Sequence, residues 1–113
     1  ESRMPELQAR EAIRAHMKKQ FGLSAEQIDS MLPSFMDTLA RYLEDLGTHF
    51  ATRDQAEVGR VAHTTKGALL NLGLQEQAEL AKHIELQAKA GSELVGLEPI
   101  FKKLRTALEP LLD

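Results

Sequence analysis

The chain has 113 residues, no cysteine, no tryptophan, 42% hydrophobic residues and a net charge of −3. Such a chain is expected to form one small globular domain over residues 1–113, without disulfides, thiol catalysis or thiolate metal sites. Lys and Arg are mixed among Asp and Glu, leaving no basic footprint for nucleic acid, and no run approaches the roughly 20 apolar residues of a membrane span, so a soluble, cytoplasmic protein is expected.

No segment alternates apolar and polar residues over a strand's length, while Ala, Leu, Glu, Gln and Lys are abundant, so the fold class is all-α. Glu1-Ser2-Arg3 ahead of Met4-Pro5 reads as an expression remnant before a natural start, although an internal methionine would look the same. A first helix is predicted from about Glu6 to Gln20, with Ala9, Ile13 and Met17 on one side and Gly22 beyond its end. Ser24 with Gln27 makes a capping box for a short helical turn through Ile28. Pro33 suits the first turn of the next helix, which carries Phe35, Leu39, Tyr42, Leu43 and Leu46 to about Phe50.

Asp54 with Glu57 forms a second capping box, opening a helix near Gln55 that ends at Gly73. Its successor is expected from about Gln75 to Ala90, with Leu80, Ala81, Ile84 and Ala88 inward and Gly91 as the stop. Pro99 is expected to start a final helix with Ile100, Leu104, Leu108 and Leu111 as its stripe, and Pro110 to end or loosen it. Four helices with short connections make an antiparallel up-down bundle, and the N-terminal helix packs across or beside it.

The histidine helix holds the most informative residues. At about 100° per residue, Val58, Val61, Ala62, Thr65, Leu69 and Leu72 share one side, whereas Gly59, His63, Lys66, Gly67 and Leu70 gather on the opposite one. Each interior glycine costs roughly 0.8–1.0 kcal/mol relative to alanine, so two of them bracketing an outward histidine suggest clearance for a partner. Close helix packing or a kink is the bland alternative for either glycine. Arg60 and Lys66 flank the stripe and would raise its positive potential.

An exposed neutral imidazole can accept a phosphoryl group near physiological pH, and a lysine one turn along can steady the phosphoryl oxygens. Glu85 lies at the border of its helix's apolar face, within reach of the groove beside the histidine helix. If it accepts a hydrogen bond from Nδ1–H, Nε2 is left free to attack. Pairing of Glu85 with Lys82 or Lys89 is the alternative. His16 and His49, near helix ends, are read as capping or surface residues, and His83 as solvated. Glu79 and His83 lie four apart, which is not the Glu-x-x-His spacing of a di-iron bundle, so no metal site is expected.

His63-Thr64-Thr65-Lys66-Gly67-Ala68 followed by Asn71-Leu72-Gly73 resembles the H-x-x-K-G signature and downstream Leu-Gly of histidine phosphotransfer (HPt) domains. The resemblance covers roughly residues 33–91, taking in the Phe35 to Leu46 stripe, the Ile84-Glu85 pair and the Ala88-Lys89-Ala90-Gly91 helix end. It implies a monomeric phosphorelay intermediate in which His63 carries the phosphoryl group on Nε2 between aspartates of receiver domains, in response regulators and hybrid sensor kinases. It further implies that Lys66 and Gly67 support the phosphoryl group and admit the receiver, and that Glu85 hydrogen-bonds the histidine. The chain would need no cofactor of its own, with magnesium in the receiver's acidic pocket, and it contains no Walker-type loop. Thr65 stands where the family usually has a larger apolar residue, and Leu69 and Leu70 replace residues that are commonly small. Leu70, on the outward stripe, is read either as an apolar docking contact or as a residue that narrows the set of receivers accepted. Two other readings stay open: a receiver-binding module without phosphotransfer, and the phosphoacceptor domain of a larger histidine kinase.

Overall fold

A computed structural model describes residues 4–112 as five helices: α1 (Met4–Phe21), α2 (Ala25–Ala51), α3 (Gln55–Asn71), α4 (Gln75–Lys89) and α5 (Leu94–Leu112). The expected expression remnant at residues 1–3 lies outside the described residues. Helices α2 to α5 form a closed ring of neighbours, α2 on α3, α3 on α4, α4 on α5 and α5 back on α2, while α1 packs against α2 and α5. Connections of a few residues force successive helices antiparallel. The all-α bundle with an additional N-terminal helix is therefore the observed architecture. No helix among the described residues is long and apolar enough to cross a membrane.

The core is aliphatic. Leu39, Leu46, Leu69, Ile84, Leu104 and Leu108 are fully enclosed, and Ile13 and Met17 of α1 are buried with them. Each such side chain contributes roughly 1.5–3 kcal/mol through apolar burial. That magnitude decides where the prolines sit. Pro33 does not begin a helix but lies inside α2, and the Ser24–Gln27 capping box opens this long helix rather than a separate turn. Pro99 likewise lies inside α5, which starts at Leu94, and Pro110 does not stop it before Leu112.

An interior proline costs about 3 kcal/mol, largely by orphaning the carbonyl four residues back. Those residues are Asp29, Val95 and Thr106, and all three are exposed, as are the prolines themselves. Water can serve the freed carbonyls, and the apolar stripe continues past each proline. Ile28 and Leu32 are buried upstream of Pro33, and Leu94 and Leu97 upstream of Pro99. Burial of each pair is worth more than the break.

The turn from α3 to α4 sets the site's frame. Gly73 adopts φ +78°, a left-handed conformation that suits glycine, and the imidazole of His16 fills the space a Cβ would need. His16 is thus half-buried beneath this turn rather than a surface helix-end residue.

Candidate functional site

Asp54 accepts a hydrogen bond from the Glu57 backbone N–H at 3.3 Å and starts α3. The expected capping box is not reciprocal, because the Asp54 N–H donates to the His49 carbonyl and the Glu57 carboxylate takes the Arg60 guanidinium at 2.6 and 2.9 Å. That guanidinium holds the Glu57 carboxyl below its ordinary range. Val58, Val61, Ala62, Thr65 and Leu69 form the buried face of α3, with the Thr65 hydroxyl donating to the Val61 carbonyl at 2.7 Å. The small Thr65 is accommodated by closing its hydroxyl on its own helix.

His63 projects from the opposite face with 61% of its side chain exposed. Its Nδ1 lies 2.7 Å from Glu85 Oε2 on α4, and no described residue hydrogen-bonds Nε2. Glu85 is only 4% exposed, so its charge must be met locally. Lys89 donates to Oε2 at 2.8 Å, and the Lys66 ammonium lies 2.8 Å from Oε1 as an ion pair rather than a well-aligned hydrogen bond. Burial opposes ionisation of Glu85, but the contacts from Lys66, Lys89 and His63 outweigh it and lower its pKa to about 2. Glu85 is therefore a carboxylate at neutral pH, an acceptor that requires the proton on His63 Nδ1 and leaves the Nε2 lone pair outward. Both sequence alternatives for Glu85 are realised together, the histidine and Lys89 sharing one oxygen.

The fold favours the ionised form of Glu85, so its contribution to stability is complete above the ordinary value of 4.5 and is lost as pH falls toward about 2. Thermal melts of the wild type and Glu85→Gln are expected to differ most above pH 4.5 and to converge toward pH 2. A constant difference across that window would contradict the assignment.

The remaining expected site residues separate. Gly67 is exposed with nothing within 4 Å of a Cβ built on it, leaving open space one turn from His63. Gly59 is buried and offers no surface to a partner: a Cβ there would meet Lys89 Cγ at 3.3 Å and Ala88 Cβ at 3.7 Å. It is a helix-packing glycine that lets the Lys89 stem of α4 lie against α3. Arg60 is exposed but spends its charge on Glu57, and Lys66, at 24% exposure, leans onto α4 instead of standing on the outward stripe. The expected positive rim is correspondingly weaker. Leu70 is 46% exposed and borders a shallow groove with Lys66, Gln75 and Lys82.

One set of residues went unread in the sequence. His63, Thr64 and Gly67 line a groove of about 360 Å³ whose far wall is Phe35, Thr38 and Tyr42 of α2. Phe35 and Tyr42 belong to the apolar stripe of α2 by spacing, yet both are only half-buried. Their spacing with Thr38, at i, i+3 and i+7, marks one edge of the helix and was the available signal. No group of three or more metal-ligating side chains occurs among the described residues.

The family model of the Hpt domain matches residues 30–113, well over half of the chain. The chain belongs to the Hpt domain family. No curated protein and no solved structure matches it. Membership supports a histidine phosphotransfer role in phosphorelays, in which Hpt domains interact with receiver domains. The match takes in the Hpt ring of α3, α4, α5 and most of α2, and leaves α1 outside.

Proposed function

We propose that His63 is the phosphoacceptor of this Hpt domain, taking a phosphoryl group on Nε2 from a receiver aspartate and returning it to another receiver in a response regulator or hybrid sensor kinase. The observation that carries this reading is the exposed imidazole whose Nδ1 is held at 2.7 Å by an ionised, buried Glu85. Nε2 attacks the phosphorus of the aspartyl phosphate, the N–P bond forms, and the P–O bond to the aspartate breaks, releasing a carboxylate. The proton stays on Nδ1, and Glu85 balances the positive charge that develops on the ring. The reverse step delivers the group to a second aspartate. No cofactor is called for in this chain, the magnesium ion being expected in the receiver.

Lys66 moves from Oε1 to the phosphoryl oxygens, and Lys89 remains on Oε2 so that the buried carboxylate keeps a counter-charge beside the new anion. Lys66→Ala is expected to slow transfer by roughly 10–100-fold, with unchanged helical circular dichroism. An unchanged rate would remove Lys66 from the mechanism. Incubation with a phosphorylated receiver tests the function itself. The label on the chain is expected to survive base and to be lost in acid, as a phosphohistidine is, and tight receiver binding with no label would instead favour a binding module.

A further inference from the structure

Phosphorylation of His63 leaves one oxygen of Glu85 unanswered. In the resting chain His63 Nδ1 and the Lys89 ammonium share Oε2, whereas the Lys66 ammonium is the described partner of Oε1. Oε1 is buried and takes no hydrogen bond. Once Lys66 turns to the phosphoryl oxygens, a carboxylate oxygen shut away from water faces no cation, and a buried charge that loses a partner is strongly destabilised. Unless another cation arrives, Glu85 holds Lys66 back.

Lys82 is placed to take over. It stands three residues before Glu85 on α4 as Lys89 stands four after it, so the two lysines bracket the carboxylate on one face of the helix, one turn to either side. Lys89 already serves Oε2. Lys66 and Lys82 line the same shallow groove, of about 290 Å³, from α3 and α4, so the side that Lys66 vacates is the side on which Lys82 stands. Its four-carbon stem is long and flexible enough to fold over one helical turn. Lys82 is exposed and makes no hydrogen bond or ion pair with any described residue, Glu79 of the same groove included. Arg60, by contrast, is held by Glu57.

We propose that Lys82 is a positioning residue for phosphoryl transfer, its ammonium replacing that of Lys66 at Glu85 Oε1 as Lys66 turns to the phosphoryl group. The inference rests on the reading of His63 given above. The exchange makes and breaks no covalent bond and moves no proton. Its effect is to keep Glu85 neutralised in the phosphorylated chain, so that Lys66 is released without a bare charge being left in the interior.

Lys82→Gln is compared with the wild type on the full chain, using a phosphorylated receiver domain that labels the wild type. In the variant kcat for acceptance is expected to fall about fivefold or more and the phosphoryl equilibrium to shift by a similar factor toward the receiver, with KM within about twofold. Lys82→Arg keeps the cation and is expected to restore both to within about twofold. In a Glu85→Gln background no carboxylate awaits a cation, so Lys82→Gln is expected to change nothing further. The resting chain gives an independent reading. Lys82→Gln alone should leave the melting temperature within about 2 °C, because Lys66 holds Oε1. In a Lys66→Ala background, where Lys82 has already taken that place, it should lower the melting temperature by about 5 °C or more.

Unchanged kcat and equilibrium in Lys82→Gln would overturn the proposal. So would a raised KM at constant kcat, which would make Lys82 a receiver contact, and so would an undiminished effect in the Glu85→Gln background, which would place its ammonium on the phosphoryl group itself. If Glu85→Gln does not fold, the Lys66→Ala melts carry the comparison. Strictly additive melts would sink the exchange alone, whereas a wild type that no phosphorylated receiver labels would sink the phosphoacceptor reading, so the two failures are distinct.

Discussion

His63→Gln is expected to abolish phosphoryl acceptance completely while leaving the melting temperature nearly unchanged. The side chain is 61% exposed and contributes no core packing, so its replacement falls among surface changes worth within about 0.5 kcal/mol. Glutamine can still donate to Glu85, and Lys66 and Lys89 continue to neutralise that carboxylate. What is lost is the only nitrogen lone pair that this geometry presents beside Gly67. Of the other histidines, His16 is packed beneath the Gly73 turn, and His49 and His83 lie on α2 and α4 without a partnering buried carboxylate among the described residues. The comparison reads label incorporation from a phosphorylated receiver beside a thermal melt. Label persisting in the variant would move the site elsewhere.

The largest effect on stability is expected at Gly73. A side chain there is strained twice, first by the left-handed backbone at φ +78° and then by His16, whose Cγ would lie 2.5 Å from the new Cβ and whose own Cβ would lie 2.8 Å away. The backbone part costs about 1–2 kcal/mol. Overpacking adds typically 1–3 kcal/mol, because the base of the His16 side chain cannot swing aside as the tip of a long one would. Gly73→Ala should therefore lower the melting temperature by roughly 8–40 °C, at roughly 4–8 °C per kcal/mol for a domain near this size. A double-mutant cycle separates the causes. His16→Ala removes the imidazole but keeps the Cβ at 2.8 Å, so it should recover only part of the overpacking cost in the Gly73→Ala background and leave the backbone part in place. Strict additivity of the two substitutions would show that His16 does not press on this turn.

Gly73 also shows what a sequence can reveal here. A helix stop at glycine is a local signal, and Gly22, Gly73 and Gly91 were legible as stops, each now with positive φ. His63 and Glu85 were legible as a pair because periodicity places one outside the apolar stripe and the other at its border, and a tight turn makes their helices neighbours. The prolines misled because their penalty is local, whereas the compensating burial of Ile28, Leu32, Leu94 and Leu97 depends on helices far away in the chain. Gly59 misled for a related reason. Periodicity measures a residue against its own helix, but α3 is covered on two sides, by α2 and α4, so its buried arc is wider than its apolar stripe. The same blindness hid the groove wall at Phe35, Thr38 and Tyr42, which exists only because α2 lies beside the histidine.

That Nε2 of His63 carries the phosphoryl group while Glu85 keeps Nδ1 protonated is tested most directly by NMR of the phosphorylated chain, using phosphorus-31 with nitrogen-15 in the imidazole ring. The predicted result is a single phosphohistidine with phosphorus bonded to Nε2 of His63 and a proton retained on Nδ1. Phosphorus on Nδ1, or on any residue other than His63, would contradict it.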